Sequence, residues 1–423
     1  MMINKTVQQE TLTANLKQKS RSKWVADFAK SQILKRLQLL QRGRLTLIDG
    51  TQQHRFGNGD ELNATIYVHD SRFYGEIAFG GSIGAGEAYM LGYWSADNLT
   101  NIIRMMCVNQ SVMDTLEGGY QWLTKPFLQI LHWLNSNTTE GSRKNIAAHY
   151  DLGNDMFALF LDPTMMYSSA IFSANTPNLK AASELKLKTI CDKLDLKQTD
   201  QVIEIGTGWG GFAIYAAAHY GCHVTTTTIS TKQYELAKAR VKAAGLEDKI
   251  TLLLDDYRHL QGKYDKLVSI EMIEAVGHKF YDTYFAKVGS LLKDNGLALI
   301  QAITIADQRY ENAKKSVDFI QRYIFPGSCI PSNTALLNSV TKMTDMRMFD
   351  LEDIGPHYAT TLRNWRENFF ANIEEVRKLG YSEEFIKMWD FYLSYCEGGF
   401  MERALGDVHL LLAKPENRRD SLI

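Results

Sequence analysis

Between residues 201 and 305, short apolar runs alternate with longer stretches whose apolar positions recur at helical spacing. QVIEIG, CHVTTTTI, ITLLL, KLVSIEMI and GLALIQAITI read as buried strands. FAIYAAAHY, TKQYELAKARVKAAG and YDTYFAKVGSLLKD read as the helices between them. Five apolar strands separated by helices predict an α/β fold, a doubly wound parallel sheet covered on both faces. From 305 to 400 the alternation stops and the pattern becomes helical and aromatic, before a last apolar run, DVHLLLAKP. This predicts a helical lid inserted before the final strand, over the carboxyl edge where doubly wound sheets bind ligands.

The pattern ahead of residue 146 is different. In SKWVADFAKSQILKRLQLLQ (22–41), Trp24, Val25, Phe28, Ile33, Leu37 and Leu40 recur at roughly helical spacing, with Lys23, Lys30, Lys35 and Arg36 largely off that face. This reads either as a helix docked on its own domain or as an interfacial membrane helix. GRLTLIDG and ELNATIYVHD alternate like strands, and GEAYMLGYWSADNLTNIIRMM returns to helix. A small α+β auxiliary domain is therefore expected over 22–133, a polar, turn-rich linker (LNSNTTEGSRKN) over 134–145, and the α/β domain over 146–415 with its lid at about 305–400.

With 423 residues, 45% hydrophobic and 22% charged, the chain has the composition of a globular protein of two or three domains. No apolar run approaches a membrane span, and the first twenty residues carry no apolar h-region, which reads as no secretory signal. The five cysteines (Cys107, Cys191, Cys222, Cys329, Cys396) form no CxxC pair, which speaks against a zinc site or disulfide framework and fits a reducing cytosol. Charge changes the picture at one place. Residues 1–45 hold ten Lys/Arg against Glu10 and Asp27, a local excess of eight within a chain of net charge −1. Such a segment suits an anionic surface, or is a solvated arm.

Gly206, Gly208 and Gly211 after the first strand fit a dinucleotide fingerprint and equally a methyl-donor turn. The second strand ends TTTTIS, without the acid that would take a ribose hydroxyl, which disfavours NAD but also weakens a methyl-donor reading, since such sites commonly use an acid there too. Glu204, two residues before Gly206, and Asp256–Tyr257 after the third strand favour a methyl donor, with Asp256 accepting an exocyclic amine and Tyr257 covering the ring.

AHYDLGNDMFALFLDPTMMYSSAIF (148–172), IEIGTGWGG, TTISTKQYELAKAR, SIEMIEAVG, RYIFPGSCIPS and HYATTLRNW occur together and in order. This set, spanning roughly 145–415, resembles the cyclopropane-fatty-acid synthase family, whose fold is that of class I methyltransferases. The resemblance implies S-adenosylmethionine as cofactor, held by Tyr167, Ser168, Gly206, Gly208, Gly210, Thr228, Gln233, Asp256 and Tyr257. It implies unsaturated phospholipid acyl chains as substrate and a phospholipid bilayer surface as partner. It further implies a cytoplasmic protein on the inner face of the membrane, no nucleic acid, no metal, and a homodimer.

The family is also thought to bind bicarbonate as base, which the resemblance places against Glu274, the backbone of Ile303, and Tyr358. Two further positions depart from the family: a cysteine is Ser169 here and a histidine is Gln301. Ser and Gln can still donate hydrogen bonds, but Gln cannot titrate as His does. The resemblance thus implies cyclopropane formation, with methylation without ring closure as the alternative. Glu271 and Ala275 also deviate from the commonest pattern, without a mechanistic account. Tyr310, Phe319, Tyr323, Ile324 and Phe325 are candidates to line an acyl channel. An amine methyltransferase and a non-catalytic lipid binder remain as other classes.

Overall fold

A computed structural model describes residues 23–59, 61–110 and 153–420. The N-terminal arm before Lys23, the expected linker 134–145 and the first residues of the AHYDLGNDMF motif lie outside the described residues. Contacts divide the chain into two units, one within residues 1–131, 316–322 and 373–402, the other within 132–315, 323–372 and 403–423.

The smaller unit holds a four-stranded sheet. Strands β1 (Arg44–Asp49) and β2 (Gln52–Phe56) form a hairpin, β3 (Asn63–Val68) pairs parallel with β1, and β4 (Trp94–Ala96) closes the order β2-β1-β3-β4. Helix Lys23–Leu37 docks on this unit. Ala29, Ile33, Leu37 and Leu40 are buried, and Lys30 Nζ donates to Asp49 at 2.6 Å. Three of the six stripe residues, Ile33, Leu37 and Leu40, are thus used by the unit itself, and among the described side chains of the stripe Phe28 is exposed. The side chains of Trp24 and Val25 lie outside the description. The stretch expected as one helix after residue 86 is interrupted. Helix Arg72–Met90 stops, β4 forms, and helix Leu99–Val108 restarts where the Asn98 side chain accepts from Asn101 N.

The larger unit carries the expected sheet. Five parallel strands, β5 (Gln201–Ile205), β6 (His223–Thr228), β7 (Ile250–Leu254), β8 (Tyr264–Ile270) and β9 (Leu292–Ile305), alternate with helices Gly211–Tyr220, Thr231–Ala243 and Tyr281–Leu291. Strands β10 (Arg347–Asp353) and β11 (Leu405–Ala413) extend it to the order β10-β11-β9-β8-β5-β6-β7, with β11 antiparallel to both neighbours. Alternate residues feed separate cores. Ile203, Ile205, Ala298, Ile300 and Leu410 face one side, and Val202, Leu297, Leu299 and Leu411 face the other. That two-sided burial is why these strands read as continuous apolar runs.

The segment 305–400 differs from a single helical insertion. It contains β10, an edge strand whose sequence RMFDLED is half charged, so its strand signal is weak. Residues 373–402 fold with the smaller unit. There, helix Glu383–Met401 receives a hydrogen bond on Asp390 from Tyr89 (2.6 Å) and on Glu397 from Thr100 (2.9 Å), and Arg104 pairs with Glu402. A Cβ on Gly398 would lie 2.8 Å from Ile103 Cγ2, so the glycine permits this close packing. Phe319 also belongs to this unit, its ring 4.7 Å from Phe391.

Candidate active site

The glycine turn and Ser169, Glu274, Gln301, Ile303 and Tyr358 gather near the carboxyl ends of β5, β8 and β9. The turn after β5 is left-handed at Gly206 (φ 104°), Gly208 (φ 51°) and Gly210 (φ 84°). Nothing lies within 4 Å of where a Gly208 side chain would begin, so the turn presents open backbone beside the N-terminus of helix Gly211–Tyr220. Glu204 supports the turn from below. It is buried, accepts from Thr226 Oγ1 at 2.6 Å, and burial pushes its carboxyl up to about 8. Gly211 is fixed by a close approach: an added Cβ would sit 2.5 Å from Met166 Sδ and 2.8 Å from Thr164 O. Gly211→Ala is therefore expected to cost roughly 1–3 kcal/mol. By displacing the Met166–Ser168 loop it should also weaken donor binding in calorimetry, with unchanged affinity and melting temperature counting against this packing.

Along the turn, Tyr167 packs against Phe157 (5.1 Å) and Trp365 (5.2 Å), with Phe325 at 6.4 Å. Thr228 donates to Gln233 Oε1 (2.9 Å) and accepts from Ser230 N, so Thr228 positions Gln233. Asp256 is engaged by Arg258 through both oxygens (2.8 and 2.7 Å). Burial draws its pKa up, but those bonds outweigh burial and hold it below the usual range. The Tyr257 hydroxyl is buried without a hydrogen-bond partner among the described residues, its pKa pushed up to about 12 by burial. A left-handed open turn, a positioned amide and an orphaned phenol suit a nucleoside-bearing sulfonium donor.

The second group is a buried carboxylate network. Glu271, at the end of β8, receives Ser169 N (2.7 Å) and Gln301 Nε2 (2.8 Å) on Oε1 and the Tyr358 hydroxyl (2.6 Å) on Oε2. Gln301 Nε2 also donates to Asp407 Oδ2 (2.8 Å), and its Oε1 meets His409 Nε2 at 3.3 Å. Glu274 Oε1 accepts from Ile303 N at 2.5 Å, while its Oε2 is buried with no partner among the described residues. Burial, then the nearby charge of Glu271, pushes Glu274 up to about 8. Burial drives Asp407 well above the carboxylate range and raises Glu271, whose charge the donors and Lys186 favour. Glu271 stands at φ 46°, a left-handed conformation that costs a non-glycine residue about 1–2 kcal/mol.

Sequence reasoning thus brought Ser169, Gln301 and Tyr358 to one point, but the group at that point is Glu271. The Ser169 hydroxyl itself donates to the Ala170 carbonyl. Three other groups were missed. Lys186 is fully buried, donates to Ser168 Oγ at 2.7 Å, and is lowered to about 8 by burial against the pull of Glu271, Asp407, Asp162 and Glu204. It lies between Ala182, Ser183 and Ile190 on the buried face of helix Leu179–Leu194, a spacing legible in the sequence. Asp407 and His409 sit inside the apolar run of β11.

The chain is 39% identical over 367 residues to a tuberculostearic acid methyltransferase of Mycobacterium tuberculosis, covering 84% of each. It is 39% identical over 343 residues to the cyclopropane-fatty-acyl-phospholipid synthase of Escherichia coli K12, covering 80% of this chain and 85% of that one. Among solved structures, a mycolic acid cyclopropane synthase complexed with SAH and CTAB superposes with a TM-score of 0.59 at 28% identity, over 64% of this chain and 98% of that one. A coclaurine N-methyltransferase at 19% identity and a TM-score of 0.59 shares the fold. The family model described as mycolic acid cyclopropane synthetase matches residues 137–410. With that match, the donor turn and the ordered motifs, the chain belongs to the mycolic acid cyclopropane synthetase family and is an S-adenosylmethionine-dependent methyltransferase.

Proposed function

We propose that this enzyme adds a methylene group from S-adenosylmethionine to the cis double bond of unsaturated phospholipid acyl chains, forming cyclopropane fatty acids. The observation that carries the reading is the meeting of the donor turn and a buried carboxylate network at one sheet edge, beside the aromatic wall of Tyr167, Trp365 and Phe325. An isolated alkene is a weak nucleophile, so it needs alignment and exclusion of water. S-adenosylmethionine supplies an electrophilic methyl group. Tyr167, Ser168, Gln233, Asp256 and Tyr257 hold and orient it, and Gly206, Gly208 and Gly210 let backbone approach it. Glu274 and Tyr358 border the reacting carbons, where a proton must leave before a ring can close. Ser169, Gln301 and the backbone of Ile303 fix the carboxylates.

A second reading, methylation without ring closure, is favoured by Gln301, which cannot titrate, and by the similarity to the tuberculostearic acid methyltransferase. Incubation with vesicles of monounsaturated phospholipid, followed by mass and proton NMR of the released acids, separates the two. High-field ring protons on a chain one CH₂ heavier support the first, and alkene protons or a methyl branch support the second.

This substrate requires a membrane surface, and among the described residues no helix is long and apolar enough to cross one. Peripheral attachment through the basic N-terminal segment fits that need. Lys35 and Arg42 are exposed. Replacing both with Gln should weaken flotation with anionic vesicles by about 1 kcal/mol per charge, more at low salt than at high. Equal binding at both salt concentrations would detach this segment from the membrane role.

A further inference from the structure

We propose that Glu271 is the base of the reaction, a side-chain carboxylate standing where the family resemblance implies bound bicarbonate. The proposal rests on the lipid reading above. The donors around the anion position are already taken: the Ser169 hydroxyl by the Ala170 carbonyl, and the others by carboxylates of the chain. Ser169 N, Gln301 Nε2 and the Tyr358 hydroxyl bind Glu271, and Ile303 N binds Glu274. Bicarbonate does not fit these residues while the Glu271 carboxylate is in place.

The backbone directs the side chain there. Glu271 N donates to the Gln301 carbonyl at 2.8 Å, and the positive φ at the strand end turns the carboxylate onto its three donors. The residue keeps some exposed surface while its carboxylate faces inward, as a group that must meet a substrate requires. It adjoins the donor site on both sides. Met272, the next residue, lies 3.3 Å from where a Gly206 Cβ would be, and Ser169 follows Ser168. The charge is also placed. Asp407 and Glu271 share the Gln301 amide as donor; burial raises both carboxyls and drives Asp407 well above the carboxylate range, while Lys186 and the donors favour the anion on Glu271.

In the step assigned, the alkene π pair bonds one carbon to the methyl carbon. The methyl–sulfur bond breaks with its electron pair on sulfur, and the other alkene carbon becomes cationic. Glu271 removes a proton from the new methyl group, and the C–H pair closes the third ring bond on that cation. The lipid gains CH₂, and one proton remains on Glu271.

The test uses full-length protein loaded with S-adenosylhomocysteine and ¹³C-labelled bicarbonate for NMR binding, alongside turnover in buffer purged of carbon dioxide. Glu271→Gly suits the positive φ and opens the anion site, and Glu271→Gln keeps the site filled without a base. Wild type is expected to bind no label and to keep its turnover, within roughly twofold, after purging. Glu271→Gly should bind label, lose roughly 100-fold or more in purged buffer and recover at least roughly 10-fold when bicarbonate is added, while Glu271→Gln is inactive and not rescued. Label bound to wild type, wild-type turnover lost on purging, or Glu271→Gly active in purged buffer would each overturn the proposal. So would a Glu271→Gly protein that binds the methyl donor by calorimetry yet neither binds label nor is rescued. If wild type turned over no unsaturated lipid, the lipid reading would fail, and labelled bicarbonate would still decide whether Glu271 fills the anion site.

Discussion

Glu274→Gln is expected to lower turnover by roughly 10²–10⁴-fold while leaving affinity for the methyl donor within about twofold. The substitution is nearly isosteric. Its side-chain oxygen can still accept from Ile303 N, so the local fold is kept. What changes is Oε2, which is buried and has no partner among the described groups. A buried, unpaired carboxyl oxygen costs about 1–3 kcal/mol, and an atom kept at that cost beside a reacting site is poised toward what reacts there. Burial and the charge of Glu271 raise its pKa to about 8, so at neutral pH the group is mostly protonated and its ionised fraction grows with pH. If Glu274 must be ionised to relay the proton that Glu271 takes, the wild-type rate should rise along a limb centred near pH 8. Glu274→Gln should lack that limb. Turnover near wild type, with an unaltered profile, would remove Glu274 from the chemistry.

The fold was legible wherever one physical signal dominated. The five parallel strands are buried on both faces, so hydrophobicity alone marked them, and the helices between them fell on the expected segments. β10 and β4 were not legible. The first is a charged edge strand with one partner, and the second is three residues long between two helices. Helix Glu383–Met401 lies in the segment read as mostly helical, but its packing with the N-terminal unit depends on contacts about 300 residues apart, such as Tyr89–Asp390, which periodicity cannot reveal. The site shows the same division. Glycines in a left-handed turn announce themselves in sequence. A carboxylate that fills an anion site does not, because Glu271 reads as one more acid beside Glu274 until the bonds from Ser169, Gln301 and Tyr358 are seen to end on it. Lys186 was visible as a charge on an apolar helical face, yet what it faces is set by β8 and β11.

Lys186→Met should shift the pH profile and lower activity at pH 7 by roughly 10–100-fold without unfolding the protein. Lys186 Nζ is held by Ser168 Oγ, and the acids acting on it are Glu271, Asp407, Asp162 and Glu204. Its positive charge favours the ionised form of Glu271 and Glu204. Taking the charge away leaves Glu271 harder to ionise, so any limb that depends on that carboxylate moves to higher pH. Ser168 loses its donor at the same time, which should weaken binding of the methyl donor by about 1 kcal/mol. A structural role predicts something different. Methionine matches the stem in volume and needs no solvation, so stability at pH 7 should stay within about 2 kcal/mol of wild type. The pH dependence of stability gives a separate check. Burial depresses this ammonium from 10.5 to about 8, so between those values the unfolded chain binds more protons than the folded one. Wild type should therefore gain stability relative to Lys186→Met as pH rises from 8 to 10.5, give that gain back over the same window as pH falls, and change no further below 8. Glu274 and Lys186 both titrate near 8, so one wild-type limb cannot be assigned to either alone. A limb abolished in Glu274→Gln but merely displaced in Lys186→Met would make Glu274 the group that titrates in passing on the proton Glu271 takes, and the lysine the residue that sets its field. A limb lost in Lys186→Met and kept in Glu274→Gln would reverse those roles.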